Sequence, residues 1–126
     1  MSFSFSNTTR TTLPTLPYAR IAHDIMGPHY EVSFVTVGNV RSRTLNLRYR
    51  NKSYTPNVLS FPLTENAGEV YLNPHEAKRQ ASRFDLTYRG MCGYLFIHAL
   101  LHLKGYAHGD TMERVESRYM KKYGLS

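Results

Sequence analysis

From Met91 to Leu103 the chain is apolar at almost every position, and His98 and His102 interrupt the run. A helix that is apolar nearly all round belongs in the centre of a fold. Residues four apart on a helix point the same way, so His98 and His102 can share one ligand. Gly105 then ends the helix in a left-handed conformation that other residues resist. The turn brings His108 back to the same point. Three imidazoles with one position left for water describe a catalytic zinc site. A lone buried histidine is usually a satisfied core residue, and two at i,i+4 can be coincidence. A third at the right offset past a helix-ending glycine favours metal binding. One Zn2+ per chain is the expected occupant, although nickel, copper and iron accept the same ligands.

The spacing is that of the metzincin proteases, H-E-x-x-H-x-x-G-x-x-H. In those enzymes the glutamate after the first histidine is the general base. Here that position is Ala99, which cannot take a proton from water. The metal-holding half of the motif is present and the protease base is absent. Ordinary zinc-protease chemistry is therefore not expected.

At 126 residues the chain is expected to form one domain, residues 1–126, with a real core. The apolar run from Met91 is too short for a membrane span, so no membrane partner is expected. Its first residues lack the basic start and sustained apolar stretch of a secretory signal. Cys92 is the only cysteine, which excludes an internal disulfide and suits a cytoplasmic protein. It lies six residues before His98, on a different helical face, and reads as a small core residue.

The net charge of +7 is unevenly spread. Residues 1–60 hold seven Lys/Arg and two Asp/Glu; residues 61–126 hold nine and seven. Arg41, Arg43, Arg48, Arg50 and Lys52 cluster with no acid between them. Such a patch attracts polyanions, nucleic acid first, or is merely a solvated helix face. Beside a metal site it points to phosphodiester hydrolysis.

Phe3 and Phe5 alternate with polar neighbours, which predicts a short edge strand. A helix follows over Tyr18–Met26, ending at Gly27-Pro28. Tyr30–Val37 is a β-branched and aromatic strand. Asn39 is expected to cap a helix through about Tyr49, with Val40, Leu45, Leu47 and Tyr49 as its apolar members. Asn46 and Arg50 face together on it. Val58–Phe61 is a strand stopped by Pro62, and Gly68–Leu72 another. Asn73-Pro74 opens a helix to about Phe84. The histidine helix starts near Leu86 or Thr87, and Gly90 and Gly93 allow close packing there. Asp110 or Thr111 caps a last helix with Met112, Val115, Tyr119 and Met120 on its face.

These residues match a known pattern. His98-Ala-Leu-Leu101-His102-Leu103-Lys-Gly105-Tyr106-Ala-His108 resembles the H-G-x-L-H-L-x-G-Y-D-H signature of the YbeY family, the bacterial rRNA-maturation endoribonucleases. Leu45-Asn46-Leu-Arg-Tyr49-Arg50-Asn-Lys52, followed by Thr55-Pro56-Asn57-Val58-Leu59-Ser60-Phe61-Pro62, resembles a second family segment. Gly68-Glu69-Val70 stands where the family usually has Gly-Asp-Ile. The resemblance implies an α+β fold: a small mixed β-sheet covered by helices, with a central buried helix carrying the metal-binding histidines. It implies a metal-dependent, single-strand-directed endoribonuclease in small-subunit rRNA 3′-end maturation and ribosome quality control. RNA and the small ribosomal subunit are the implied partners; DNA is not. His98, His102 and His108 carry over as ligands, and Arg50 matches the family's important arginine near the cleft. Ala99 replaces a glycine, and Ala107 replaces the aspartate before the last histidine. An acid there could orient a ligand histidine, and Asp110 is close enough in sequence to substitute.

Arg50 would then bind the scissile phosphate and offset charge in the transition state, or else make a structural salt bridge. Arg43, Arg48 and Lys52 would track the RNA backbone, giving salt-sensitive binding. Asn46, Asn57 and Ser60 either line the cleft or cap loops. Tyr106 is more often packing than a base-stacking platform. His23 and His75 are expected on the surface, and no general base is identifiable. Either a metal-activated water or the RNA 2′-hydroxyl could attack. Two other readings compete: a non-catalytic RNA- or ribosome-binding assembly factor with bound zinc, and a small-substrate hydrolase. Structural zinc is usually closed by four protein ligands, and a small substrate does not need the basic cluster.

Overall fold

A computed structural model describes residues 2–126. In β2 (Glu31–Thr36) and β4 (Ala67–Leu72) every second residue is buried, which turns one face of the sheet toward the core. Val32, Phe34, Val70 and Leu72 supply that face, and Leu59 of β3 (Val58–Thr64) joins them. The edge strand foreseen from Phe3 and Phe5 is β1 (Ser2–Asn7). The sheet order is β1-β2-β4-β3. β1 and β4 run parallel to β2, and β3 is antiparallel to β4, so the sheet is mixed. The fold is α+β.

Among the described residues five helices accompany the sheet: α1 (Tyr18–Met26), α2 (Asn39–Arg50), α3 (Pro74–Gln80), α4 (Tyr88–Leu103) and α5 (Asp110–Lys122). A 3-10 turn, Ala81–Phe84, follows α3. The Thr87 hydroxyl caps α4 by accepting from the Gly90 amide. Ten of the sixteen residues of α4 are buried, on every side of the helix. Phe96 is packed at 4.6 Å against Phe34 and edge-on at 5.2 Å to Tyr18, tying α4 to both sheet and α1. Gly93 passes so close to Leu125 that a Cβ there would lie 2.5 Å from its Cδ1. Cys92 is a core residue, as expected; burial pushes its thiol up to about 12.

The structure departs from the sequence reading in four places. Pro62 does not stop β3, which continues to Thr64. β3 is an edge strand with an irregularity between Pro62 and Thr64, so no amide is missed there. Asn39 is the first residue of α2, whose cap is Gly38; its side-chain oxygen accepts from Asn73. Gly109, not Asp110 or Thr111, caps α5. The supposed apolar members of α2 mostly face outward: Val40, Leu47 and Tyr49 are exposed. Its buried residues are Ser42 and Asn46. Polar groups point inward because the loop after α2 offers carbonyls to satisfy: Ser42 Oγ donates to the Pro56 carbonyl at 3.0 Å, and Asn46 Nδ2 to the Tyr54 carbonyl at 3.0 Å. No described helix is long and apolar enough to cross a membrane.

Candidate metal centre

The end of α4 builds the site. Lys104 caps the helix, and Gly105 follows with φ +107°, a conformation that favours glycine. The Gly105 amide donates to the His102 carbonyl and the Tyr106 amide to the Leu101 carbonyl, both at 3.0 Å. This pair of bonds is a Schellman motif. It reverses the chain and returns His108 to the helix. The ring centroids of His98, His102 and His108 lie 4.5 to 5.1 Å apart. One ring nitrogen from each falls within 4.8 Å of the other two.

The outer nitrogens decide which atoms face inward. His102 Nδ1 donates to the Tyr106 carbonyl at 3.0 Å. His98 Nδ1 donates to the carboxylate of Glu116, which is buried. Both Nε2 atoms are thereby left as lone pairs, and they stand 3.1 Å apart. Two facing lone pairs repel unless a cation or proton sits between them. Two nitrogens ~2.0–2.1 Å from one zinc at a tetrahedral angle would be about 3.3 Å apart. The donor set therefore fits a divalent transition metal. Burial first, and then the neighbouring His98, hold His102 below the usual histidine range, which keeps it in the neutral form a metal needs.

These histidines form one wall of a cleft of about 460 Å³. Arg50, Tyr54, Asn57 and Ser60 line it with Phe84, Tyr94 and Ala99. The Arg50 guanidinium donates to Asn46 Oδ1 at 3.4 Å and Tyr54 Oη at 3.3 Å. Both partners are neutral, and among the described residues no carboxylate pairs with it, so its charge is available to an anion. No carboxylate lines the cleft among the described residues either. A metzincin-type base is absent in space as well as in sequence.

A family model described as Endoribonuclease YbeY matches residues 3–124. The chain belongs to the YbeY endoribonuclease family. It is 34% identical over 113 residues to the Endoribonuclease YbeY of Alkaliphilus metalliredigens, covering 81% of this chain and 71% of that protein. It is 37% identical over 92 residues to the one of Mycoplasma mycoides, covering 64% of this chain and 56% of that protein. The chain thus spans little more than half the length of this second relative. A Thermotoga maritima protein solved in solution superposes with a TM-score of 0.61 at 27% identity, covering 82% of this chain and 74% of that one.

Within this YbeY chain the candidate residues separate. His98, His102, His108, Arg50, Asn57 and Ser60 meet in the cleft, while Arg43, Arg48 and Lys52 do not line it. Arg43 donates to Thr55 at 3.0 Å, and Arg48 lines a separate groove beside Tyr49 and Phe61. Asn46 is fully buried and ties down the 51–57 loop. Asn57 both lines the cleft and donates to Gln80 at 2.9 Å. Tyr106 packs against the core, and His23 and His75 are exposed. The acid that reaches a ligand histidine is Glu116, not Asp110. Sequence reasoning missed it, yet a signal was present: Glu116 sits between Met112 and Met120, four residues from each, on the buried face of α5.

Proposed function

We propose that this chain is a metal-dependent endoribonuclease that cuts single-stranded RNA. The observation that carries the reading is the cleft itself: three imidazoles converge opposite an unpaired guanidinium, with no acid on its walls among the described residues. Such a site favours an anionic substrate. The bound group is Zn2+, held by His98, His102 and His108, and when bound it supplies Lewis-acid polarisation of a phosphoryl oxygen. Arg50 binds the scissile phosphate and offsets the charge that builds on it. Its planar donors suit two phosphate oxygens at once. Asn57 and Ser60 offer hydrogen bonds along the same strand of RNA. Arg43, Arg48 and Lys52 lie outside the cleft and add long-range attraction that weakens with salt.

The substrate we assign is rRNA, at the small-subunit 3′ end, with further work in ribosome quality control. The partner is the small ribosomal subunit and the compartment the cytoplasm. Family membership supports these assignments. Three ligands rather than four support an open, catalytic metal over a closed structural one.

The test is cleavage of a single-stranded rRNA fragment by zinc-loaded protein, beside His102→Ala and Arg50→Ala. Loss in both variants is expected. Equal cleavage by all three would sink the assignment. RNA binding with no cleavage by any of them would favour a non-catalytic assembly factor.

A further inference from the structure

The metal cleft does not end at its own walls. Phe84 and Tyr94 line it, and the same two residues line a second trough of about 810 Å³ along α5. The shared wall makes the two spaces neighbours. Three rings step from one to the other: Phe84 lies 5.8 Å from Tyr94, and Tyr94 lies 5.7 Å from His98.

Phe84 is 47% exposed. The backbone presents it there. It ends the 3-10 turn, and Asp85 follows in the left-handed region at φ +56°. The Asp85 amide donates to the Ser82 carbonyl and the Leu86 amide to the Ala81 carbonyl, which closes the reversal. The ring is held at the rim between the two spaces.

Beyond it, Arg114, Arg118 and Lys121 line the second trough. Among the described residues none of the three has a carboxylate partner within ion-pair distance. The acids in its lining are Glu113 and Glu116, and Glu116 is turned inward to His98. An exposed aromatic ring followed by cations at successive turns of a helix matches what a single nucleic-acid strand requires: a flat face for a base and charges for the phosphates.

We propose that the trough along α5 is a second RNA subsite, in which Phe84 stacks a base of the strand leaving the metal cleft. Arg118, with Arg114 and Lys121, holds the phosphates that follow. The inference rests on the RNA reading of the metal cleft and adds a direction of travel to it. It also accounts for selectivity toward single strands, because a paired base cannot turn its face to Phe84.

The probe is 2′-O-methyl oligouridine, of about four and about twelve nucleotides, bound to zinc-loaded protein and followed by fluorescence anisotropy. Phe84→Leu should weaken the longer oligomer about tenfold and the shorter one much less. Phe84→Tyr should restore binding. Arg118→Ala should weaken the longer oligomer and make its log K against log salt slope shallower by about 0.7. Zinc affinity should be unchanged in all three variants. Wild-type binding of both lengths, with Phe84→Leu and Arg118→Ala indistinguishable from it, would overturn the subsite and leave the metal cleft's RNA reading intact. Equal weakening of both lengths would also overturn it, since the loss would then lie in the metal cleft. Failure of the wild type to bind either oligomer would overturn both.

Discussion

The two helices that furnish the site are built in opposite ways. α4 is buried on all sides and held by apolar packing. α2 buries only Ser42 and Asn46, and hydrogen bonds fasten it to the loop that follows it. α4 carries His98 and His102; α2 carries Arg50. Two of the three metal ligands sit on this buried element, where displacement would open a cavity, and His108 reaches them from the turn that follows it. The arginine sits where a few polar contacts set its position and water reaches its charge. Ligand geometry must be fixed to tenths of an ångström, whereas a guanidinium meeting a phosphate can adjust. The contrast predicts that stability and chemistry separate between the two helices.

The largest effect should come from Phe96→Ala. Phe96 is fully buried at the junction of α4, Phe34 and Tyr18. Its truncation should cost about 3–5 kcal/mol in denaturant unfolding. Arg50→Ala should be the reverse case. Turnover should fall about 10²–10³-fold, while zinc affinity and unfolding midpoint stay at wild-type values. An Arg50→Ala protein that lost zinc would mean that α2 also positions the metal site, and the separation would fail.

Glu116→Ala should have a smaller effect of a distinct kind. It removes the acceptor of His98 Nδ1 and frees the ring to turn or change tautomer. Zinc affinity, measured by chelator competition, should fall about 10–100-fold. Glu116→Gln keeps an acceptor and should recover part of it. His108 offers the matching control. It is exposed and has no hydrogen bond that orients its ring among those found for the described residues. Substituting its acidic neighbour in sequence, Asp110, should leave zinc affinity unchanged.

What the sequence disclosed follows the same division. His98, His102, Gly105 and His108 lie within eleven consecutive residues, so helix geometry and one turn fix their meeting. The boundaries of α1 and the start of α4 were legible because Gly27 and Thr87 punctuate them locally. Glu116 was not, since its contact depends on α5 folding back along α4. Nor was the inward face of α2, because the carbonyls of Tyr54 and Pro56 that select it belong to a loop with no periodicity. Pro62 stopped β3 on paper because a proline removes an amide. The edge position that makes the loss harmless is a property of the whole sheet.

The smallest effect sharpens the comparison most. Leu47 is 55% exposed on α2, beside the fully buried Asn46. By residue type, Leu47 belongs to the core and Asn46 to the surface. Leu47→Ser should change unfolding free energy by no more than ~0.5 kcal/mol. Asn46→Ala should cost about 1–3 kcal/mol, because it strands the Tyr54 carbonyl that its side chain serves. It should also slow turnover, since Asn46 Oδ1 receives the Arg50 guanidinium. If Leu47→Ser instead proved the costlier of the two, α2 would be held by apolar packing after all. Arg50 would then owe its position to the same forces as His98 and His102, and the two walls of the cleft would no longer differ in kind.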